Sequence, residues 1–134
     1  MKFLNYISIL FLFFVFTSFQ ITEPKTPDFL YQKWIYNYYQ NGNLIYKSKR
    51  KFKKDKSGIE FKENGTIIRK QNSGWCGTPP INFEIVSGTW KNVSDSLIKI
   101  EYKDWSGIRN DTLQIIELSK SKLILKPIYT LKKQ

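Results

Sequence analysis

The chain has 134 residues, 16% of them aromatic and 25% charged, with a formal net charge of +11, one cysteine and no histidine. That length suits one domain, and the aromatic content supplies a core, which excludes a disordered chain. Without histidine the commonest general base, the commonest zinc ligand and every Ser-His or Cys-His pairing are missing, which argues against most hydrolytic enzymes.

Lys2 precedes an almost wholly apolar run from Ile7 to Phe16, and polar residues begin at Gln20. The run is shorter than the roughly 20 residues that span a bilayer, so residues 1–20 read as a secretory signal peptide cleaved between Ser18 and Thr22. The expected location is therefore exported, periplasmic or extracellular; an uncleaved N-terminal anchor is the rival reading. No cysteine follows the run, so a lipid-modified N-terminus is not expected. Residues 21–29 read as a tether, in which Thr26-Pro27-Asp28 is placed to start one short helical turn. Residues 30–134 are expected to form the domain. Cys76 is the only cysteine, so the domain must stand on its core without an internal disulfide.

From there the pattern has period two, broken by short polar turns, and predicts eight strands. Trp34, Tyr36 and Tyr38 mark the first, near 33–39, and Leu44, Tyr46 and Phe52 the second, over 44–53. Ile59 and Phe61 define the third, and Thr66 to Lys70 the fourth. Phe83 to Trp90 is the fifth, with a phase shift between Ile85 and Val86 of the kind a β-bulge causes. Ile98, Ile100 and Tyr102 share one face of the sixth; Leu113 to Leu118 and Leu123 to Tyr129 complete the set. Asn64-Gly65 is the strongest hairpin signal, since that pair supplies the positive φ angles of a type I′ turn.

The first, third, fifth and seventh joins are tight, whereas Lys53 to Ser57, Asn72 to Ile81 and Asp104 to Asp111 are longer. In an up-and-down meander the longer joins would gather at one end. The expected fold is thus an all-β antiparallel up-and-down barrel of about eight strands, the number at which an interior is just filled or holds one small ligand. A two-sheet sandwich is the alternative.

Gly58-Ile59-Glu60-Phe61, Asn64-Gly65-Thr66, Trp75-Cys76-Gly77-Thr78-Pro79-Pro80 and Gly88-Thr89-Trp90 together resemble exported bacterial lipocalin-like domain proteins over roughly residues 30 to 130. The resemblance implies a calycin-type barrel whose ligand is usually unassigned. In two respects the chain departs from that family. Lipocalins proper carry Gly-x-Trp on the first strand, where Gln32-Lys33-Trp34 stands here. They also open at the first, third and fifth joins, which are tight here, so the long loops are expected to plug the base rather than form a mouth.

Trp75-Cys76-Gly77-Thr78-Pro79-Pro80 reads as a rigid structural loop, with Pro79 and Pro80 fixing its path and Cys76 buried as a small hydrophobe. A reactive thiol would need a histidine, cation or helix N-terminus beside it. Lys47, Lys49, Lys51 and Lys53 alternate with Tyr46 and Phe52, so they fall on the opposite, solvated face, a candidate surface for anionic lipid or polymer. Nucleic-acid binding is not expected, because the aromatics do not share that face. Trp34, Tyr36, Tyr38, Trp90, Tyr102 and Trp105 are the candidate ligand walls, and a filled core is the alternative use of the same side chains. Glu101, Asp104 and Asp111 form no paired catalytic carboxylates, Glu60 should point outward, and no acidic group has metal-ligand spacing.

These readings converge on a non-enzymatic exported protein without cofactor or metal, whose barrel holds a small apolar or amphipathic ligand. A surface-interaction protein is the second reading, using its basic face on an anionic envelope or its loops on a protein partner.

Overall fold

The computed structural model describes residues 27–74 and 77–129; the expected signal peptide, most of the tether, Trp75 and Cys76 lie outside the described residues. A 3₁₀ turn at Asp28–Leu30 leads into β1 (Lys33–Gln40), β2 (Asn43–Lys49), β3 (Gly58–Phe61) and β4 (Thr66–Asn72). β5 (Phe83–Ser94), β6 (Leu97–Asp104), β7 (Gly107–Leu118) and β8 (Lys122–Ile128) follow. All the pairings are antiparallel, and the sheet closes into an eight-stranded barrel.

The order around the barrel is β1-β2-β8-β7-β6-β5-β4-β3, so β1 lies between β2 and β3. The chain from β3 to β8 is a plain meander, and the β1–β2 hairpin fills the remaining gap in reversed order. β2 and β3 consequently run the same way, and residues 50–57 must travel the length of the barrel between them. This join belongs to neither end, which corrects the expectation that all longer joins share one. It also explains why the second strand stops at Lys49 and not at 53: Lys51 and Lys53 lie on the crossover.

The crossover runs over the outer face. Ile59 and Phe61 point into the core, so Gly58 faces outward, paired across from Ile35. The Phe52 ring sits against Gly58, where an added Cβ would lie 2.8 Å from it. Phe52 therefore packs outside, contrary to its expected place beside Tyr46, and helps cover Ile35, which is buried although it points away from the interior. Lys70 Nζ ties the crossover down by donating to the carbonyls of Lys53 and Lys54.

One end of the barrel is closed by the 3₁₀ turn. Leu30 and Trp34 are fully buried there with Phe61, Ile98 and Leu123, and Trp34 Nε1 donates to the Leu30 carbonyl at 3.1 Å. Phe61 meets Trp90 edge-on at 5.4 Å between ring centroids, and Trp90 Nε1 donates to the Lys62 carbonyl at 2.8 Å. Satisfying each indole N–H keeps these large rings affordable in a dry core.

Turn chemistry is distributed differently from expectation. Asn41 and Gly42 have φ of 51° and 81°, so the type I′ signature falls on the β1–β2 turn. At the β3–β4 turn only Gly65 has positive φ, at 82°; Gly65 N donates to the Lys62 carbonyl and Lys62 N to that of Thr66, the three-residue pattern with glycine in the left-handed position. β5 pairs with β4 without a break from Phe83 to Thr89, so there is no bulge at Ile85–Val86. The register shifts occur instead at Tyr36/Tyr38, Asn92/Ser94 and Ile115/Glu117.

Candidate functional site

The end opposite the 3₁₀ turn carries the β1–β2 turn, residues 73–74 and 77–82, the Trp105-Ser106 turn and the end of β8. Two of the longer joins are here, and their described residues leave the barrel open at this end. A cavity of about 500 Å³ opens at this end, within the roughly 300–1,000 Å³ of small-molecule sites. Tyr46, Ile59 and Leu113 form its floor, and Leu44, Tyr39 and Pro127 line the walls toward the rim. The floor side chains are the top of the packed core, because Tyr46, Ile59 and Leu113 belong to the same buried cluster as Trp34 and Leu30.

Above that floor the interior turns polar. Ile67 on β4 is fully buried in the core; two residues on, Arg69 occupies the same face and lines the cavity. Its guanidinium lies 3.8 Å from the centroid of the Tyr102 ring. Gly88 makes this approach possible. It stands opposite Ile67 on one side and Tyr102 on the other, and puts no side chain between them. A cation over a tyrosine face contributes about 0.5–2 kcal/mol, depending on desolvation, which is less than an enclosed charge costs. Arg69 Nε is enclosed and has no hydrogen-bond partner.

The carboxylates nearby are engaged elsewhere. Tyr102 Oη donates to Asp111 Oδ2 at 2.8 Å. Arg109 lies 3.8 Å from both Asp104 and Asp111, at ion-pair distance. Ser106 donates to Asp104 through Oγ at 2.6 Å and through its backbone N at 2.7 Å; the side-chain bond chiefly holds the Asp104 carboxyl below its ordinary range. Gln71, on the same inner row as Arg69, donates to Glu84 and to the Lys103 carbonyl, both at 3.2 Å.

Burial pushes the Tyr46 hydroxyl above its ordinary range, against the opposing pull of Arg69. Burial likewise raises Tyr102 to about 12, opposed by Arg69 and reinforced by the hydrogen bond to Asp111. A raised folded-state value means that this contribution to stability is complete below the ordinary tyrosine value near 10. It is lost as pH climbs toward 12. Two of the eight tyrosines should therefore resist ionisation until the barrel unfolds in that window. Tyrosinate absorbance followed together with circular dichroism tests this: Tyr102→Phe should remove one late-titrating group, and an unchanged titration would place Tyr102 in a wetter setting.

The structure distributes the candidate ligand walls across the molecule. Tyr102 stands beside the cavity, and Tyr36 packs edge-on against Tyr46 at 5.9 Å beneath it. Trp34 and Trp90 fill the closed end, away from the cavity. The bulge after Tyr36 turns Tyr38 outward and brings Tyr39 inward opposite Leu44. Trp105 is 60% exposed on its turn. Lys47 and Lys49 point outward from β2 and are exposed, as are Lys51 and Lys53 on the crossover; Gly77, Pro79 and Pro80 are exposed too. Glu60 faces outward as expected and pairs with Lys33 at 3.0 Å.

Other hollows have a different character. A groove of about 550 Å³ crosses the outer face of β5, β6 and β7 between Thr89, Lys91, Lys99, Glu101, Asn110 and Thr112. Its side chains are the outward, solvated halves of these strands. Among the described residues no cluster of His, Cys, Asp or Glu could hold a metal ion, and no helix is long and apolar enough to cross a membrane. No family model, curated protein or solved structure matches this chain.

Proposed function

We propose that this protein is a non-enzymatic binding module whose barrel takes one small amphipathic ligand through the end opposite the 3₁₀ turn. The observation that carries this reading is the cavity of about 500 Å³, apolar at its floor and polar at its wall, above a fully packed lower core. Such a site matches the usual build of small-ligand pockets, in which apolar lining supplies affinity and a few polar groups fix orientation. Export, read from residues 1–20, and the lipocalin-like resemblance belong to the same proposal. Both are consistent with a carrier or sensor of a poorly soluble molecule.

The test is titration with Nile red, an uncharged polarity-sensitive dye, monitored by fluorescence. The wild-type chain should bind about one dye molecule, and Leu44→Trp, which fills the wall beside Tyr39, should bind at least about tenfold more weakly while keeping its melting temperature. No binding by the wild type, or equal binding by both proteins, would refute a ligand-holding cavity.

A second reading rests on Lys47 and Lys49, which are exposed on the outer face of β2. It makes this face a docking strip for anionic lipid or polymer. Retention on anionic vesicles should then fall steeply between low and physiological salt and drop further in Lys47→Gln/Lys49→Gln; retention that ignores salt would exclude it.

A further inference from the structure

We infer that the ligand of the barrel carries a single negative charge, a carboxylate head on an apolar tail, and that Arg69 is the residue that receives it. This rests on the ligand-binding reading above and adds the chemical class of the ligand. Three observations support it.

First, Arg69 lines the cavity as a cation with no carboxylate at ion-pair distance among the described residues. Its guanidinium lies over the Tyr102 ring and acts electrostatically on the Tyr46 hydroxyl. Its Nε has no acceptor. A guanidinium is well suited to a planar carboxylate, which can take two parallel N–H groups at once.

Second, the nearby carboxylates Asp104 and Asp111 lie at ion-pair distance of Arg109 and not of Arg69. Arg109 is shared between Asp104 and Asp111, and Asp111 also accepts from Tyr102. The charged residues lining the cavity are Arg69, Arg109 and Asp111, a net charge of one positive, and Asp104, bound to Arg109 outside that lining, brings the four to zero. With one cation, Arg69, away from the carboxylates, the lining favours a monoanion. A phosphate-type dianion would bring a second charge that only the already paired Arg109 could meet, and it would face the Asp111 carboxylate.

Third, the cation lies beside a floor of Tyr46, Ile59 and Leu113. A ligand whose head meets Arg69 can lay its tail on that floor or along Leu44 and Pro127 toward the rim. Neither a fully apolar molecule nor a compact polar anion would use both halves of the site.

The experiment is calorimetric titration of the full chain with decanoate, decanol and decyl phosphate, below their aggregation concentrations. The wild type should bind decanoate at least about tenfold more tightly than decanol. Arg69→Met should lose that preference while still binding decanol. Arg69→Lys should recover part of it, since a point charge lacks the planar fork. Lys99→Met, which removes one exposed outward charge from β6, should match the wild type and so separate the site from the overall positive charge. Equal binding of decanoate and decanol by the wild type, or an unaltered preference in Arg69→Met, would overturn the assignment and leave the barrel reading standing. Tighter binding of decyl phosphate than of decanoate would overturn the single-charge match. Failure of both decanoate and decanol to bind the wild type would overturn the barrel reading and this inference with it.

Discussion

Replacing Gly88 by alanine should lower stability by about 3 kcal/mol and the melting temperature by about 10–20 °C. A Cβ built on Gly88 would sit 1.9 Å from the carbonyl oxygen of Glu101 and 3.0 Å from the Tyr102 Cα. Both obstacles are backbone of the neighbouring strand, so no rotamer change can relieve them. β5 and β6 would have to separate at the first pairs of their register, Gly88↔Tyr102 and Thr89↔Glu101. The contrast is Gly65, where an added Cβ would approach nothing closer than the Trp90 carbonyl at 3.5 Å. There the cost comes from its φ of 82°, and Gly65→Ala should lose only about 1 kcal/mol. Thermal melts of the two variants decide the matter. A Gly88→Ala protein that melts within a few degrees of wild type would mean that the strands can part here without penalty. Since Gly88 also leaves the gap through which Arg69 reaches Tyr102, a folded Gly88→Ala protein should bind its ligand less well too.

The barrel was legible in the sequence because its strands alternate and its turns carry Asn-Gly or short polar groups. The site was much less so. Arg69 follows Ile67 by two residues and so shares the inner face, but Ile67-Ile68 offers two apolar residues in succession, and nothing local says which is inside. Counting from buried Ile67 gives the answer only once the fold has supplied it. Arg109 and Asp111 were hidden for another reason: Gly107 to Asp111 is polar enough to read as loop, whereas it continues β7 and pairs fully with β6. Their polar side chains are tolerated on an inner face because this end of the barrel is not packed. Phe52 misled in the opposite sense, since parity with Tyr46 holds only while the strand continues, and the strand ends at Lys49. The reversed β1–β2 hairpin leaves no local trace at all. It follows from which edges remain free when β3 to β8 have paired, and that is a property of the closed sheet.

Trp34 tests whether an aromatic residue chosen from sequence as a ligand wall is wall or core. It is fully buried at the closed end, and its indole N–H is bonded to the Leu30 carbonyl. Trp34→Ala should therefore cost about 3–5 kcal/mol through lost packing and the cavity left behind. Against the roughly 5–15 kcal/mol typical of a domain that is a large fraction, so the gentler Trp34→Phe is the informative partner. It keeps an aromatic ring, loses the hydrogen bond to Leu30 and should cost about 1–2 kcal/mol. Because the packed layer of Tyr46, Ile59 and Leu113 separates Trp34 from the open end, folded Trp34→Phe should bind Nile red and decanoate within about twofold of wild type. Stability and binding would then be assigned to opposite ends of one barrel. The converse result, affinity lost with the melting temperature unchanged, would place the ligand beside Trp34 and make the closed end the site.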